Sequence, residues 1–356
     1  MRIDIVETNF SLRKLAPEDG AAFAALLAHS PDTGSIRAVP RFEIDAYRAL
    51  LCFHSDTVGV VAETPGHKGL VGAGLIGFGQ CQWEAKLRPA ALFHTLAVHP
   101  DFRRRGLASR IVAWREEYAR GRFGDEGVIW AGIQRHNTGS ELIAKKWSTQ
   151  FLKNRLAIVP LKMRSKPPLS SEKWTVRPIQ PEEYGIVAEG LNQFHRDYNL
   201  YAPVTGESLR AWLEETPFDT PFRHYQVAVD GTGRILAGLS MVESGRLRPI
   251  VVKSMPSVLQ WLNRMLQVVP ASGVVRELVI SRFWHAPGET ESARHLFETL
   301  RWEWRDKGTC LMLYLDARSP LIGICGVHPW TIKMIGGIAV QAPVPYSEQK
   351  LYYYYD

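Results

Sequence analysis

The residues best suited to chemistry lie in one short stretch, residues 92–109. An apolar run that ends in a proline is followed by Arg103, Arg104 and Arg105, and then by Gly106 and further small residues. The free amide groups at the start of a helix bind anions, and guanidinium groups beside them add complementary charge. The stretch therefore predicts a pyrophosphate site in which small residues let the ligand approach the backbone. A solvated charged turn is the alternative interpretation of the arginines.

The pattern around this turn places it between a strand and a helix. Alternating apolar residues indicate strands, and apolar residues three to four apart indicate helices. The glycine-rich run 69–79 opens no helix, so it fits a kinked strand better than a phosphate loop. The predicted order is strand 10–15, helix 17–28, helix 41–52, strand 57–64, strand 70–82, strand 91–98, helix 106–120, strand 127–134, helix 138–147 and strand 152–163.

The chain repeats itself near the start of each half. Ser11–Asp19 and Thr175–Glu183 share a β-prone run, a proline where a helix would begin, and acidic residues in its first turn. Between the halves, residues 164–173 are rich in Pro and Ser and lack apolar periodicity, which predicts a linker. We therefore predict two domains, residues 1–163 and 174–356, joined by this linker.

The stretch with the arginines resembles the central motif of the GNAT (Gcn5-related N-acetyltransferase) family. In that family a strand ends in Leu-Ala-Val-x-Pro and leads into [Gln/Arg]-x-x-Gly-x-[Gly/Ala], which correspond here to Leu96–Pro100 and to Arg103-x-x-Gly106-x-Ala108. The predicted element order agrees with the family as well. The resemblance implies an α/β (α+β) fold with two tandem GNAT-like domains, each a mixed, mostly antiparallel twisted sheet flanked by helices. The second domain is expected to be degenerate.

The resemblance also implies acetyl-CoA (coenzyme A) as the cofactor. In the family, the strand backbone pairs with the pantetheine arm, the turn amides hold the pyrophosphate, and an Asn after the next strand contacts the cofactor. An ordinary helix N-cap is a second interpretation of Asn137, and both can hold together. The implied cofactor-binding residues are Leu96, Ala97, Val98, Arg103, Arg104, Arg105, Gly106, Leu107, Ala108, Ser109, Asn137 and Ser140.

The catalytic base is less directly indicated. Several family members have a Glu base and a Tyr acid at positions that correspond here to Leu92 and Ala144. We predict His94 as the substitute base, because an imidazole titrates near neutral pH and simple alternation puts it on the same side of the strand as Leu96 and Val98. The arylalkylamine N-acetyltransferase branch similarly has histidines on this strand. A structural histidine is the alternative interpretation.

The second half lacks the anion-binding features. An ungapped match sets Leu278–Ile280 on Leu96–Val98, which puts Gly288 on Gly106 and His285-Ala286-Pro287 in place of the arginines. Proline donates no amide hydrogen bond, and the positive charge is gone. This alignment predicts a second domain that has lost its cofactor site.

Three further features leave alternatives open. Glu63 and Glu84 are weaker candidates for a base or an anchor for the amine. The amphipathic stretch 255–270 fits core packing, a cover over the acceptor cleft or the interface of a homodimer. The tail 352–356 is either a β-prone end or a segment that inserts a tyrosine or the terminal carboxylate into the first domain's cleft.

Composition narrows the classes of function. The length of 356 residues suits two domains, and fractions of 46% apolar and 22% charged residues are typical of a soluble globular protein. We find no apolar run of membrane-spanning length and no signal-peptide layout, so we expect a cytoplasmic protein without a membrane partner. The net charge of +7 suits an anionic ligand, but no basic-aromatic stripe indicates nucleic acid. The four cysteines are isolated, and no metal site is expected.

Together these features predict an acyl-CoA-dependent N-acetyltransferase. It would move an acetyl group from acetyl-CoA to an amine, in a small molecule or a protein amino group, by direct attack in a ternary complex. A CoA-binding sensor without turnover is the alternative, because the usual Glu and Tyr are absent.

Overall fold

The computed structural model of the protein describes residues 9–31, 36–328 and 330–353. We call the chain up to β7 the first half and the remainder the second half. The elements of the first half are β1 (Ser11–Lys14), α1 (Gly20–His29), β2 (Arg37–Pro40), α2 (Ala46–Phe53), β3 (Thr57–Glu63), β4 (Gly72–Trp83), β5 (Lys86–Val98), α3 (Leu107–Phe123), β6 (Val128–Gln134), α4 (Thr138–Trp147) and β7 (Gln150–Lys162).

The second half repeats the alternation of strands and helices. Its elements are β8 (Thr175–Pro178), α5 (Tyr184–Phe194), β9 (Tyr198–Asn199), α6 (Gly206–Glu214), β10 (Arg223–Val229), β11 (Ile235–Val242), α7 (Ser244–Leu247), β12 (Ile250–Ser254), α8 (Ser257–Leu266), β13 (Val274–Val275), β14 (Glu277–His285), α9 (Thr290–Glu303), β15 (Cys310–Asp316), α10 (Leu321–Ile324), β16 (Met334–Gln341) and β17 (Lys350–Leu351).

One large mixed sheet runs through both halves. Twelve of the described strands form it in the order β1-β3-β4-β5-β6-β16-β7-β15-β14-β11-β10-β8. Its strand pairs are antiparallel except for β5–β6 and β14–β15, which are parallel. Buried apolar side chains of α3 pack against the first half of the sheet and those of α9 against the second. The fold class predicted from the sequence is confirmed.

The two halves exchange strands in the middle of this sheet. β16 comes from the second half but lies between β6 and β7 of the first, and β7 pairs on its other edge with β15. A smaller sheet joins β2 to β12 and β13. The sequence did not predict β2, whose only described strand partner lies more than 200 residues away in the second half.

The internal repeat is visible in atomic detail. Arg13 on β1 forms an ion pair of 2.7 Å with Asp19, and Arg177 on β8 forms the same pair with Glu183. Both carboxylates also accept a hydrogen bond from the backbone three residues earlier, each at 2.8 Å. The arginine partner lowers the pKa of each carboxyl. Each half therefore begins with the same strand-to-helix corner.

Residues between β7 and β8 form neither strand nor helix, and the predicted linker 164–173 falls within them. The division into domains at these residue numbers stays a prediction. The predicted amphipathic stretch contains α8, where the side chains of Val258 and Trp261 are exposed. No helix in the described part of the chain has both the length and the apolar character needed to cross a membrane.

Candidate active site

The site lies where the parallel strands β5 and β6 separate. We call the gap between them beyond Leu92 and Trp130 the opening. β5 and β6 pair only from Ala90–Val128 to Leu92–Trp130. Beyond Leu92 the backbone of β5 continues to Val98 with no partner on its β6 side. The separation leaves free backbone groups on this edge, and such groups bind an extended ligand in the way that a neighbouring strand would. The predicted arm-binding residues Leu96, Ala97 and Val98 lie on this edge.

A bulge in β5 lies at the same place. Leu75 of β4 pairs with His94, and Ala73 pairs with Ala97, so that two residues of β5 lie opposite Gly74. Thr95, one of these two, has a φ of 49°. An extra residue reverses the side-chain alternation beyond it.

The bulge overturns one prediction about His94. Since Leu75 and Ala73 point to the same side of β4, His94 shares a face with Ala97 and not with Leu96 and Val98. Leu96 and Val98 pack toward α3, in a cluster that includes Leu107 and Ile111. Ala97 packs with α1 and α2 on the opposite face. Simple alternation was wrong because it cannot register an inserted residue.

The predicted anion-binding turn is open. Gly106 is the N-cap of α3, with a φ of 78° and no side-chain capping bond, and a side chain added there would meet no atom within 4 Å. The backbone amides of Leu107, Ala108 and Ser109 belong to the first turn and have no acceptor within the helix. Arg104 is exposed and holds a φ of 62°, an unusual conformation of the kind that clusters at ligand sites.

The three arginines of the turn do different things. Arg103 donates from Nε to the carbonyl oxygen of Val98 at 3.1 Å and from Nη2 to that of Pro31 at 3.5 Å, so it ties the turn to the protein. Arg105 is exposed and lies over the ring of Phe102, with 5.3 Å between its guanidinium carbon and the ring centre. Arg104 and Arg105 are therefore the exposed cations of the turn, whereas Arg103 is held by the backbone.

Helix α4 follows β6 and contacts the first turn of α3 through its own last turn. The side-chain oxygen of Asn137 accepts a hydrogen bond from the amide of Ser140 at 3.2 Å, which is the geometry of a helix N-cap. Lys146 connects the two helices through its Nζ, 3.0 Å from the hydroxyl of Ser109. The capping role of Asn137 is thus present, and its contact with a cofactor stays a prediction.

His94 is partly buried, on the face of β5 opposite to α3. Its Nδ1 is 3.1 Å from the hydroxyl of Thr95, and its buried Nε2 has no hydrogen-bond partner among the described residues. The ring of His54, at the end of α2, is 5.7 Å away between centroids. Burial, together with the charges of His54, Arg248 and Arg115, lowers the pKa of His94 well below its usual value. The imidazole is therefore neutral at physiological pH and has a free nitrogen.

The second half supplies groups that the sequence analysis missed. Arg248 follows α7, lies over the ring of Phe53 at 4.5 Å, and is close enough to influence the charge state of His94. Glu277 begins β14, and burial raises the pKa of its carboxyl to about 7, an effect that Arg248 partly opposes. These residues are more than 150 positions from His94 in the chain, and no motif connects them.

The other candidate bases are already engaged. Glu63 pairs with Arg13 at 2.6 Å. Glu84 accepts hydrogen bonds from the side chain of Asn199 at 2.7 Å and from the backbone of Ser347 at 3.0 Å. These contacts give both carboxylates a structural role.

The second half contains a counterpart of the opening. β14 and β15 pair from Glu277–Cys310 to Ile280–Leu313 and then separate, and Arg282 has a φ of 47° in a bulge like that at Thr95. When the two bulges are matched, Arg282 corresponds to Thr95. This correspondence is shifted by five residues from the ungapped alignment made from the sequence. Only residues 286–289 connect β14 to α9, whereas 99–106 connect β5 to α3. No ungapped alignment can match both the strand and the helix, because the loop of the second half is four residues shorter.

The chain's own C-terminal segment fills this second opening. The amide of Leu351 donates to Asp316 at 2.9 Å, and the hydroxyl of Tyr352 accepts a hydrogen bond from the amide of Arg282 at 3.3 Å. Tyr353 is buried, and its ring centre lies 6.4 Å from that of Trp130. The predicted insertion into the cleft of the first half was made for residues 352–356. Tyr352 lies instead at the second opening, and Tyr354–Asp356 lie outside the described residues.

Comparison with known proteins agrees with this geometry. Residues 28–146 match the sequence profile of the Acetyltransferase (GNAT) family. Among curated proteins, none matches the chain's sequence at a significant level.

Solved structures share the fold across nearly the whole chain. A GCN5-related N-acetyltransferase from Sphaerobacter thermophilus is 16% identical with a TM-score of 0.60, covering 95% of this chain and 97% of that one. A tandem GNAT protein from the clavulanic acid biosynthesis pathway is 15% identical with a TM-score of 0.57, covering 95% and 100%. Saccharomyces cerevisiae N-myristoyltransferase with bound myristoyl-CoA is 11% identical with a TM-score of 0.61, covering 93% and 82%. At these identities the likeness is one of fold.

Proposed function

We propose that the protein is an acyl-CoA-dependent N-acyltransferase. The premise is the match of residues 28–146 to the Acetyltransferase (GNAT) family. It would move an acetyl group from acetyl-CoA to an amine by direct attack in a ternary complex. The observation that carries the proposal is the opening between β5 and β6, which ends at the uncapped start of α3. An unpaired strand edge and a positively charged helix start fit the two parts of coenzyme A, its amide-containing arm and its pyrophosphate.

The residues present suit this ligand. The amides of Leu107, Ala108 and Ser109 would receive the pyrophosphate, with Arg104 and Arg105 neutralising its charge. The backbone of Leu96–Val98 would pair with the pantetheine arm. The arm would then bring the thioester to the bulge at Thr95, where the strands begin to separate.

His94 would act as the general base. The amine nitrogen attacks the thioester carbonyl carbon, the new C–N bond forms, the C–S bond breaks, and the amine's proton must leave while the thiolate gains one. A neutral imidazole with a free Nε2 can accept the first of these protons. Its low pKa makes it a weak base, so positioning of the amine would supply a large share of the rate.

The acceptor would approach on the His94 face, where the second half contributes Arg248; Glu277 interacts with Arg248 in turn. A small-molecule amine and a protein amino group both fit this proposal, in a cytoplasmic setting and without a nucleic-acid or membrane partner. The C-terminal segment occupies the second opening, so one acyl-CoA per chain is expected.

A sensor that binds CoA without turnover is the alternative. It is favoured by Leu92 and Ala144, which stand where several family members have their base and acid and which are 6% and 1% exposed. No titratable group replaces either residue at its own position.

The proposal is tested by calorimetric titration with acetyl-CoA and by thiol release from acetyl-CoA with pooled amines. We expect binding of one equivalent and amine-dependent thiol release. Arg104→Glu should weaken acetyl-CoA binding at least about tenfold, and His94→Ala should lower kcat about 100-fold without changing acetyl-CoA binding. Lys153→Glu, a matched charge reversal at an exposed position of β7, should leave both unchanged.

The possible outcomes separate the two candidate functions. Binding without thiol release across the amine panel would support the sensor. Full activity of His94→Ala at every pH would remove His94 as the base. Absence of acetyl-CoA binding would refute both functions. Repeating the titration with longer acyl-CoA thioesters defines the acyl group.

A further inference from the structure

Arg115 is a buried cation directly behind the bulge of β5. It lies on α3, is only 3% exposed, and donates from Nη1 to the carbonyl oxygens of Leu75 and His94, each at 3.1 Å. Its guanidinium carbon lies 4.6 Å from the ring centre of Phe93, and its buried Nε has no hydrogen-bond partner in the part of the chain that the structure describes. No carboxylate of the described residues pairs with it, and burial lowers its pKa to about 9, which leaves it protonated at neutral pH.

Burying a charge without a partner of opposite sign is unfavourable. Isolated buried ions lose several kcal/mol of hydration, and they are usually paired for that reason. Among the described residues, the guanidinium of Arg115 hydrogen-bonds only neutral carbonyl oxygens. A desolvation penalty of this size suggests that Arg115 does more than hydrogen-bond two carbonyl groups.

The second half shows that the bulge itself needs no cation. When the two bulges are matched, Ser240 and Ser281 of the second half correspond to Leu75 and His94 of the first half. There the carbonyl oxygen of Ser281 accepts a hydrogen bond from the neutral hydroxyl of Ser240 at 2.9 Å. The same backbone geometry is thus held by a serine in the half whose opening is filled, and by a buried arginine in the half whose opening is free.

The direction of one peptide unit connects Arg115 to the opening. In a trans peptide the C=O and N–H groups point in opposite directions. Because the oxygen of His94 accepts a hydrogen bond from Arg115, the amide of Thr95 in the same peptide unit points away from Arg115. Neither Thr95 nor Leu96 has a partner in either ladder. A hydrogen bond from a cation to the carbonyl oxygen strengthens the N–H at the other end as a donor.

We propose that Arg115 is a positioning residue whose buried charge acts through the His94–Thr95 peptide to polarise the acyl thioester and stabilise its oxyanion. This inference rests on the proposed function, because it assumes a thioester at the bulge. When the amine attacks, the carbonyl π electrons move to the thioester oxygen, and a preorganised donor in a dry site stabilises that charge. The same positive field favours the thiolate as the C–S bond breaks.

The decisive measurement is the carbonyl stretch of bound acetyl-CoA labelled with ¹³C at the thioester carbon, recorded by difference infrared spectroscopy. It needs no acceptor. We expect the band in the wild type to move to lower wavenumber than in free acetyl-CoA. In Arg115→Gln, which retains a neutral donor, the band should move back toward the free position, whereas Arg115→Lys should retain part of the shift. Arg120→Gln, on the exposed end of α3, should match the wild type.

The kcat and Kd values of the variants provide a second test. Arg115→Gln should lower kcat by about tenfold to 100-fold, while the Kd for acetyl-CoA stays within about twofold of the wild-type value. Arg115→Lys should recover part of the loss. A purely structural role would move kcat and Kd together, because a collapsed bulge would displace Leu96–Val98.

Two results would overturn the inference while leaving the proposed function intact. One is a wild-type band at the position of free acetyl-CoA, which needs no variant to fold. The other is equal behaviour of the Gln and Lys variants in both assays. If acetyl-CoA does not bind the wild type at all, calorimetry shows it first, and the proposed function fails together with the inference.

Discussion

Burial holds the imidazoles of His94 and His195 in their neutral forms. His195 is 2% exposed, with its Nε2 3.1 Å from the carbonyl oxygen of Phe283 and its ring against those of Tyr201 and Tyr352. Burial lowers its pKa to about 3 from an ordinary value of 6.5. Because the unfolded chain takes up protons below pH 6.5 and the native state does not, acidification favours unfolding. The stability that depends on neutral His195 is complete above pH 6.5 and is lost progressively from 6.5 down to about 3.

We predict that acidification from pH 6.5 to about 5 lowers the free energy of unfolding by about 2 kcal/mol through His195 alone. Urea unfolding at a series of pH values measures the slope. His195→Asn should be less stable near neutral pH and show a flatter slope, because its side chain does not titrate. His29→Gln, at an exposed histidine, is the control and should keep the wild-type slope. Identical slopes for wild type and His195→Asn would contradict the prediction.

At the scale of elements, the site depends on how closely α3 packs on β4. A side-chain carbon added to Gly74 would lie 2.7 Å from Cγ2 of Ile111 and 3.1 Å from Nε of Arg115. Gly72 has a similar contact, 2.8 Å from Cδ1 of Ile111. The glycines of β4 therefore let the helix approach the sheet closely enough for Arg115 to reach the bulge.

We predict that Gly74→Ala destabilises the protein by about 1–3 kcal/mol, because the added carbon forces α3 away from the sheet. The same displacement should lower kcat by withdrawing Arg115. Gly121→Ala is the matched control: it lies within α3 where an added carbon meets nothing within 4 Å, so it should stabilise by up to about 1 kcal/mol. Chemical denaturation measures both changes. Equal effects of the two substitutions would show that the contact is unimportant.

On the scale of the whole molecule, the exchange of strands makes the halves dependent on one another. Ile338, Ala339 and Val340 of β16 are fully buried between β6 and β7, which belong to the first half. The cluster that contains Cys52 also includes Val242 and Val279 of the second half. Neither half can therefore complete its sheet or its core alone.

We predict that a chain of residues 1–163 does not fold cooperatively, because β6 and β7 would both lose their partner β16. The intact protein should unfold in one transition, with tryptophan fluorescence and circular dichroism coinciding. Lengthening the connection after Pro168 by three residues is the control and should leave the transition unchanged, since this segment has no strand or helix. Cooperative unfolding of the fragment, with acetyl-CoA binding retained, would refute the dependence.

Much of the site is formed by residues that are neighbours in the sequence, so its elements could be predicted from the sequence. The strand ending at Val98, the turn and the start of α3 were predicted to within a residue, because periodicity and the glycine at the helix start act over a few positions. Helix α4 was predicted with its observed bounds for the same reason. The repeat at Arg13 and Arg177 was equally visible in the sequence, since each corner is made by neighbouring residues.

The rest depends on pairings between distant residues. The sequence by itself determined the turn, most elements of the first half and the family resemblance. The tertiary structure alone decided the bulge that turns His94 to the other face, the insertion of β16, the filling of the second opening, and the approach of Arg115 and Arg248 to His94. Local patterns report local conformation, whereas strand register and buried charge follow from how remote segments pack against one another.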